Sequence, residues 1–117
     1  VALTYKKVKS AFQVGLGEKL GLVIAIGYGK DQGVPHTSKA PEAVMETEGP
    51  APDWFRKGVE AALLAPTAMN QQKFKFTLRG DTVSAKAGMG FYTKVDLGIV
   101  KYHFELGAGT DRFRWAE

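Results

Sequence analysis

Cysteine is absent from this chain. That excludes disulfides, thiolate zinc sites and cysteine nucleophiles together, and it suits a cytoplasmic setting. Histidine occurs only at His36 and His103, far apart in sequence, so no metal site is expected. HExxH, GxSxG and Walker patterns are all missing. No run approaches the roughly 18 apolar residues of a membrane span, and no signal-peptide pattern opens the sequence. Charge of one sign is also scarce. Lys and Arg number 16 against 12 Asp and Glu, a net +4 that is spread along the chain. Neither nucleic acid nor membrane is therefore an expected partner.

What is present is ordinary for a folded protein: 117 residues, 44% hydrophobic and 24% charged, read as a single domain over 1–117. The chain starts at Val1 rather than methionine and reads as a fragment or a processed product. Thr4 is placed as the N-cap of a short helix reaching about Val14. The glycines between Gly15 and Gly21 precede a strand, Leu22 to Ile26, whereas a dinucleotide-binding turn follows one. They read as a turn into the sheet. Gly27 to Lys39 is a glycine-rich, basic loop in which Lys30, His36 and Lys39 offer positive charge.

Pro41 to Met45 reads as a short helix, and 46–52, sequence ETEGPAP, as a linker-like surface loop. Asp53 is taken as the N-cap of a helix whose Phe55, Val59, Ala62 and Leu63 share one face. Pro66 stops that helix. A polar corner, Asn70-Gln71-Gln72, leads into the alternating strand Lys73 to Leu78. Arg79-Gly80-Asp81-Thr82 turns it back into Val83 to Ala87. Thr93 caps a last helix, with Asp96 three residues on. Two apolar stripes, Val95/Ile99/Tyr102/Leu106 and Leu97/Val100/Phe104, mark that helix as largely buried. His103 lies between them, as a hydrogen-bonded core histidine or as a proton donor. Phe113 and Trp115 suggest a short C-terminal strand.

Taken locally, the corner is either a helix end with turn residues or a ligand-facing cluster. Ala65-Pro66-Thr67-Ala68-Met69-Asn70-Gln71-Gln72 resembles the Ala-Pro-Ser/Thr-x-x-Asn-x-Gln segment of the FMN-dependent nitroreductase family. Ile24 to Val44 is similar to that family's late strand, glycine turn and basic loop. The whole chain resembles the C-terminal part of a short nitroreductase subgroup, with Lys73-Phe74 standing where many members carry Pro-Trp. The resemblance implies an α+β fold, a mostly antiparallel sheet flanked by helices. It implies FMN as cofactor, a nicotinamide cofactor as hydride source, and a nitro compound, quinone or similar small-molecule electron acceptor. It assigns Pro66, Thr67, Ala68, Asn70 and Gln72 to the flavin, with Ser38 and Lys39 on its phosphate side. It also implies a homo-oligomer, or completion by a missing N-terminal half. No catalytic side chain is assigned. The competing class is a non-catalytic fragment acting as a self-associating or anion-binding module.

Overall fold

The computed structural model describes residues 12–21 and 26–116. The expected N-terminal helix and the strand Leu22 to Ile26 lie almost wholly outside them. The chain divides into two compact units, Val1–Gly33 and Val34–Glu117. In the first, the Glu18 N–H donates to the Gly15 carbonyl at 3.1 Å, and the Gly15 N–H donates to the Glu18 carboxylate at 2.9 Å. Gly17 takes a φ of +85° in that bend, a conformation that only glycine adopts freely. The glycine stretch is thus a turn, as its order in the sequence implies.

The second unit is one mixed sheet with both of its helices on a single face. Its strands are β1 (Met45–Thr47), β2 (Phe74–Arg79), β3 (Thr82–Ala87) and β4 (Arg114–Trp115), lying side by side in that order. Helix α1 (Asp53–Leu63) connects β1 to β2, and α2 (Thr93–Ala108) connects β3 to β4. Both connections join parallel neighbours, so each needs a crossover element. The central pairing, β2 with β3, is antiparallel and the longest. The antiparallel expectation holds for this pairing, while the two outer ones are parallel.

The β2–β3 hairpin follows from its turn. Gly80 stands at φ +60° in the first central position, as a two-residue II′ loop requires. The Arg79-Gly80-Asp81 tripeptide is therefore a hairpin turn. Arg114 of β4 donates twice to the Asp81 carboxylate, both at 2.9 Å, and these bonds hold the Asp81 carboxyl below its usual range. Alternation along β2 buries Phe74, Phe76 and Leu78 and exposes Lys75 and Arg79.

Several boundaries differ from the sequence reading. Pro41–Ala43 is one turn of 3-10 helix, and Met45–Thr47 pairs with Phe76–Leu78 as an edge strand. The linker therefore shrinks to 48–52. Three residues with a glutamate at the centre carry no strand signal, and pairing to β2 supplies what propensity does not. Pro52, not Asp53, is the N-cap of α1, and Tyr92, not Thr93, that of α2. Asp96 makes no cap bond to its own helix and reaches another segment instead. The helix α2 is not largely buried. Val95, Tyr102 and Leu106 are 58%, 61% and 68% exposed, because α1, the turn after it and the sheet cover only the face bearing Thr93, Asp96, Val100, Phe104 and Ala108. His103 donates from Nδ1 to the Ile99 carbonyl at 2.9 Å, the hydrogen-bonded role.

Phe104 is the hub of the core. Its ring stacks on Phe76 at 4.5 Å between centroids and meets Phe55 and Phe113 edge-on at 5.7 and 5.2 Å. The helices approach this closely because glycine stands on each. A Cβ on Gly58 would lie 2.7 Å from the Phe104 ring, and one on Gly107 would lie 2.6 Å from the Lys57 carbonyl. Gly58→Ala tests this seam. Alanine gains about 0.5–1 kcal/mol as a helix former, but overpacking costs about 1–3 kcal/mol. The expected net is a loss of about 1–2 kcal/mol in denaturant unfolding; an unchanged or raised midpoint would show that the seam can open without cost.

Candidate functional site

Pro66 ends α1 by sterics, and the following residues must reach β2 within a short span. Thr67 is extended at φ −119° and ψ 152°. Met69, Asn70 and Gln72 then all adopt left-handed backbone, with φ of 52°, 52° and 45°. Such conformations cost non-glycine residues about 1–3 kcal/mol each and persist only when surroundings impose them. Here the imposing contacts come from the 36–39 loop on one side and from α2 on the other.

Gln72 is the centre of the first set. It is 2% exposed. Its Nε2 donates to the Thr37 carbonyl at 2.8 Å and to Asn70 Oδ1 at 2.7 Å, and its Oε1 accepts the Lys39 N–H at 2.8 Å. Its own N–H donates to Thr67 Oγ1 at 3.1 Å. Asn70 extends the ladder: Nδ2 donates to the Thr37 carbonyl at 2.9 Å, and Oδ1 also meets His36 Nδ1 at 2.9 Å. An amide oxygen can only accept, so His36 carries its hydrogen on Nδ1. Lys39 closes the loop by donating from Nζ to the Gln71 and Gln72 carbonyls, at 3.2 and 2.9 Å. Ser38 Oγ donates to the Leu63 carbonyl at 3.3 Å, at the end of α1.

The second set comes from α2. The Asp96 carboxylate, 6% exposed, accepts the Ala68 N–H at 2.9 Å and Gln71 Nε2 at 2.7 Å. Gln71 Nε2 also donates to the Phe91 carbonyl at 2.7 Å. Sequence reading placed Gln71 in the polar corner but missed Asp96 as its partner. A signal existed for Asp96: it falls at a core-facing position with Thr93, Val100 and Phe104. A carboxylate there demands a partner.

The structure thus brings Ser38, Lys39, Pro66, Thr67, Ala68, Asn70 and Gln72 together. It also distinguishes them. The Gln72 amide hydrogens are both committed within the protein. Asn70 keeps one Nδ2 hydrogen, and its side chain stands on an exposed residue. Beside this corner, Lys39, Lys73, Lys75 and Lys86 ring a depression of about 260 Å³ floored by Val44 and Phe74. Lys75 lies opposite Lys86 in the β2–β3 register, an arrangement of like charges that costs stability. Glu46 offsets Lys75 at 2.7 Å, and the hydrogen bond from that ammonium lowers the Glu46 carboxyl below its usual range. No ion pair offsets Lys73 or Lys86 among the described residues. This donor chemistry suits an anionic group, and the free Asn70 amide hydrogen is left for an acceptor.

A family model described as "Putative TM nitroreductase" matches residues 1–108. No curated protein and no solved structure matches the chain. Among the described residues no helix is long and apolar enough to cross a membrane, and no cluster of side chains could hold a metal ion.

The ladder makes a pH-dependent prediction. Gln72→Glu keeps the shape but sets an acceptor against the Thr37 carbonyl and Asn70 Oδ1. We expect a loss of about 3 kcal/mol at neutral pH, the scale of a buried charged group facing unpaired acceptors. The introduced carboxyl titrates higher in the folded than in the unfolded state. The deficit therefore shrinks as pH falls through its folded pKa. Urea unfolding at neutral and at mildly acidic pH measures this, and equal deficits at both would remove Gln72 from its bracing role.

Proposed function

The chain belongs to the nitroreductase family, and from that membership we propose an FMN-dependent oxidoreductase. It would take hydride from a reduced nicotinamide cofactor and reduce a nitro compound, quinone or similar small acceptor. The observation that carries the reading is the corner. Met69, Asn70 and Gln72 all hold left-handed backbone, the first two exposed and Gln72 buried, and Gln72 ties Asn70 to the Thr37 carbonyl. Bound flavin supplies the electron chemistry, so the protein needs no nucleophile or acid–base dyad of its own.

The residues then divide by what their atoms have left to give. Asn70 offers its remaining amide hydrogen to the ring edge. Lys39, with Ser38 before it, faces the phosphate side, and Lys73 and Lys86 add charge there. Pro66, Thr67 and Ala68 shape the wall through backbone constraint. Gln72 stands behind these groups and orients Asn70 through the 2.7 Å bond to its oxygen.

The lysine depression would serve an anion-binding module equally well, and the visible spectrum separates the two. We expect protein purified without added cofactor, or titrated with FMN, to show flavin absorption and to oxidise a reduced nicotinamide when an acceptor is present. Asn70→Ala should weaken FMN binding by more, in kcal/mol, than the apo-protein loses in stability, itself about 1–3 kcal/mol. A chain that takes up no FMN would overturn the flavin reading.

The exposed face of α2 supports self-association. Val95, Tyr102 and Leu106 recur at heptad spacing and are each more than half exposed. A homodimer would cover this stripe. Light scattering across a dilution series should return at least twice the chain mass, and a monomer at every concentration would exclude it.

A further inference from the structure

Asp96 is a carboxylate buried at the first turn of α2, and it spends both oxygens on a different segment. Oδ1 takes the Ala68 N–H at 2.9 Å and Oδ2 takes Gln71 Nε2 at 2.7 Å. These two residues bracket Met69 and Asn70, two of the corner's three left-handed residues. The same Gln71 nitrogen also reaches the Phe91 carbonyl, next to Tyr92, which is likewise in left-handed backbone at φ 57°. A single carboxylate therefore fixes both ends of the strained turn and ties it to the strained entry of α2. A charge buried for stability alone is a poor bargain, since an apolar side chain at such a position often serves as well. Its value lies in holding a conformation that the chain would otherwise leave.

The geometry points to Asp96 as a positioning residue for the flavin-receiving corner, acting through Ala68 and Gln71 without touching the cofactor. The inference rests on the flavin reading above. The Gln72 ladder reaches the corner from the 36–39 loop, so Asn70 is set by two anchors arriving from opposite sides. With Asp96 weakened, the ladder alone cannot select the turn's left-handed shape, and Asn70 spends part of its time pointing elsewhere.

The test compares four proteins: the unaltered chain, Asp96→Asn, Gln71→Met and Glu105→Gln. Asparagine keeps one acceptor oxygen and turns the other into a donor facing a donor. Gln71→Met removes the Oδ2 contact from the other side, which keeps the question open should Asp96→Asn fail to fold. Glu105→Gln weakens a different α2 anchor, the 2.7 Å bond from Trp115 Nε1, and serves as the purely structural control. FMN dissociation constants come from flavin fluorescence quenching, and midpoint potentials from dye-coupled reduction.

Asp96→Asn should raise the dissociation constant roughly tenfold, the scale of one charge-assisted hydrogen bond, and shift the potential. Gln71→Met should do so by a smaller factor. Glu105→Gln should lower the melting temperature and leave both flavin readouts where they were. If the unaltered protein binds FMN and Asp96→Asn or Gln71→Met binds it with the same constant and potential, the positioning role is overturned while the flavin reading stands. If the unaltered protein does not bind FMN, both fall.

Discussion

One buried amide sets the shape of everything near the candidate site. Gln72 has no solvent to satisfy its side chain, so each of its polar atoms must find a protein partner or cost the fold about 1–3 kcal/mol. The partners it finds are the backbone of Thr37 and Lys39 and the side chain of Asn70. Thr37 and Lys39 lie more than 30 residues away in sequence, on a loop without helix or strand. The loop is ordered against the corner because the amide needs it there. Conversely, the loop's lysine returns two bonds to the carbonyls of Gln71 and Gln72. Neither segment would keep this shape alone, which is how a fold holds backbone strain that surrounding contacts must impose.

The sheet and helices locate this exchange. Phe104 stacks on Phe76 while Gly58 and Gly107 let α1 and α2 close over it. That closeness decides where the end of α1 and the start of α2 fall relative to each other. It is the reason a carboxylate on α2 can reach the backbone N–H of Ala68 across 28 positions of sequence. A side chain at Gly58 would disturb the helix pair first and the corner second. Packing and site geometry are thus linked through rigid elements rather than through any direct contact.

Much of this was legible in the residues. The α1 face, the Gly80-Asp81 turn, the alternation of β2 and the terminal strand each rest on local rules that the fold obeys: periodicity, turn chemistry and pleat. The Ala65 to Gln72 segment was legible as a resemblance, and the membership it implies is now shown. What stayed hidden is non-local. Met45–Thr47 is a strand only because β2 offers an edge. The capping residues shifted by one because proline and a left-handed tyrosine already break the helices. The stripe through Val95, Tyr102 and Leu106 reads as core by periodicity, but burial depends on what lies opposite, and the core lies opposite the other face of α2. Gln72 reads as a ligand by analogy, whereas its partners appear only once the chain has folded back on itself.

The open face of the sheet follows the same logic from the other direction. β2 and β3 place Lys75 against Lys86, a pairing that no stability argument favours. Glu46 neutralises one of the two from the neighbouring parallel strand. The other, with Lys73 at the strand entrance, is left to solvent beside Lys39, and all four rim a single depression next to Gln72. A sheet face optimised for stability alone would alternate these charges with carboxylates. Keeping them of one sign, next to a corner held under backbone strain, concentrates two separate costs in one small region. Both costs lie where a ligand with an anionic end and a hydrogen-bonding ring edge would offset them: the phosphate by neutralising the lysines, the ring by giving Asn70's spare hydrogen an acceptor. The distribution of cost over the surface, more than any one residue, is what favours the proposed binding site over a helix end that happens to be polar.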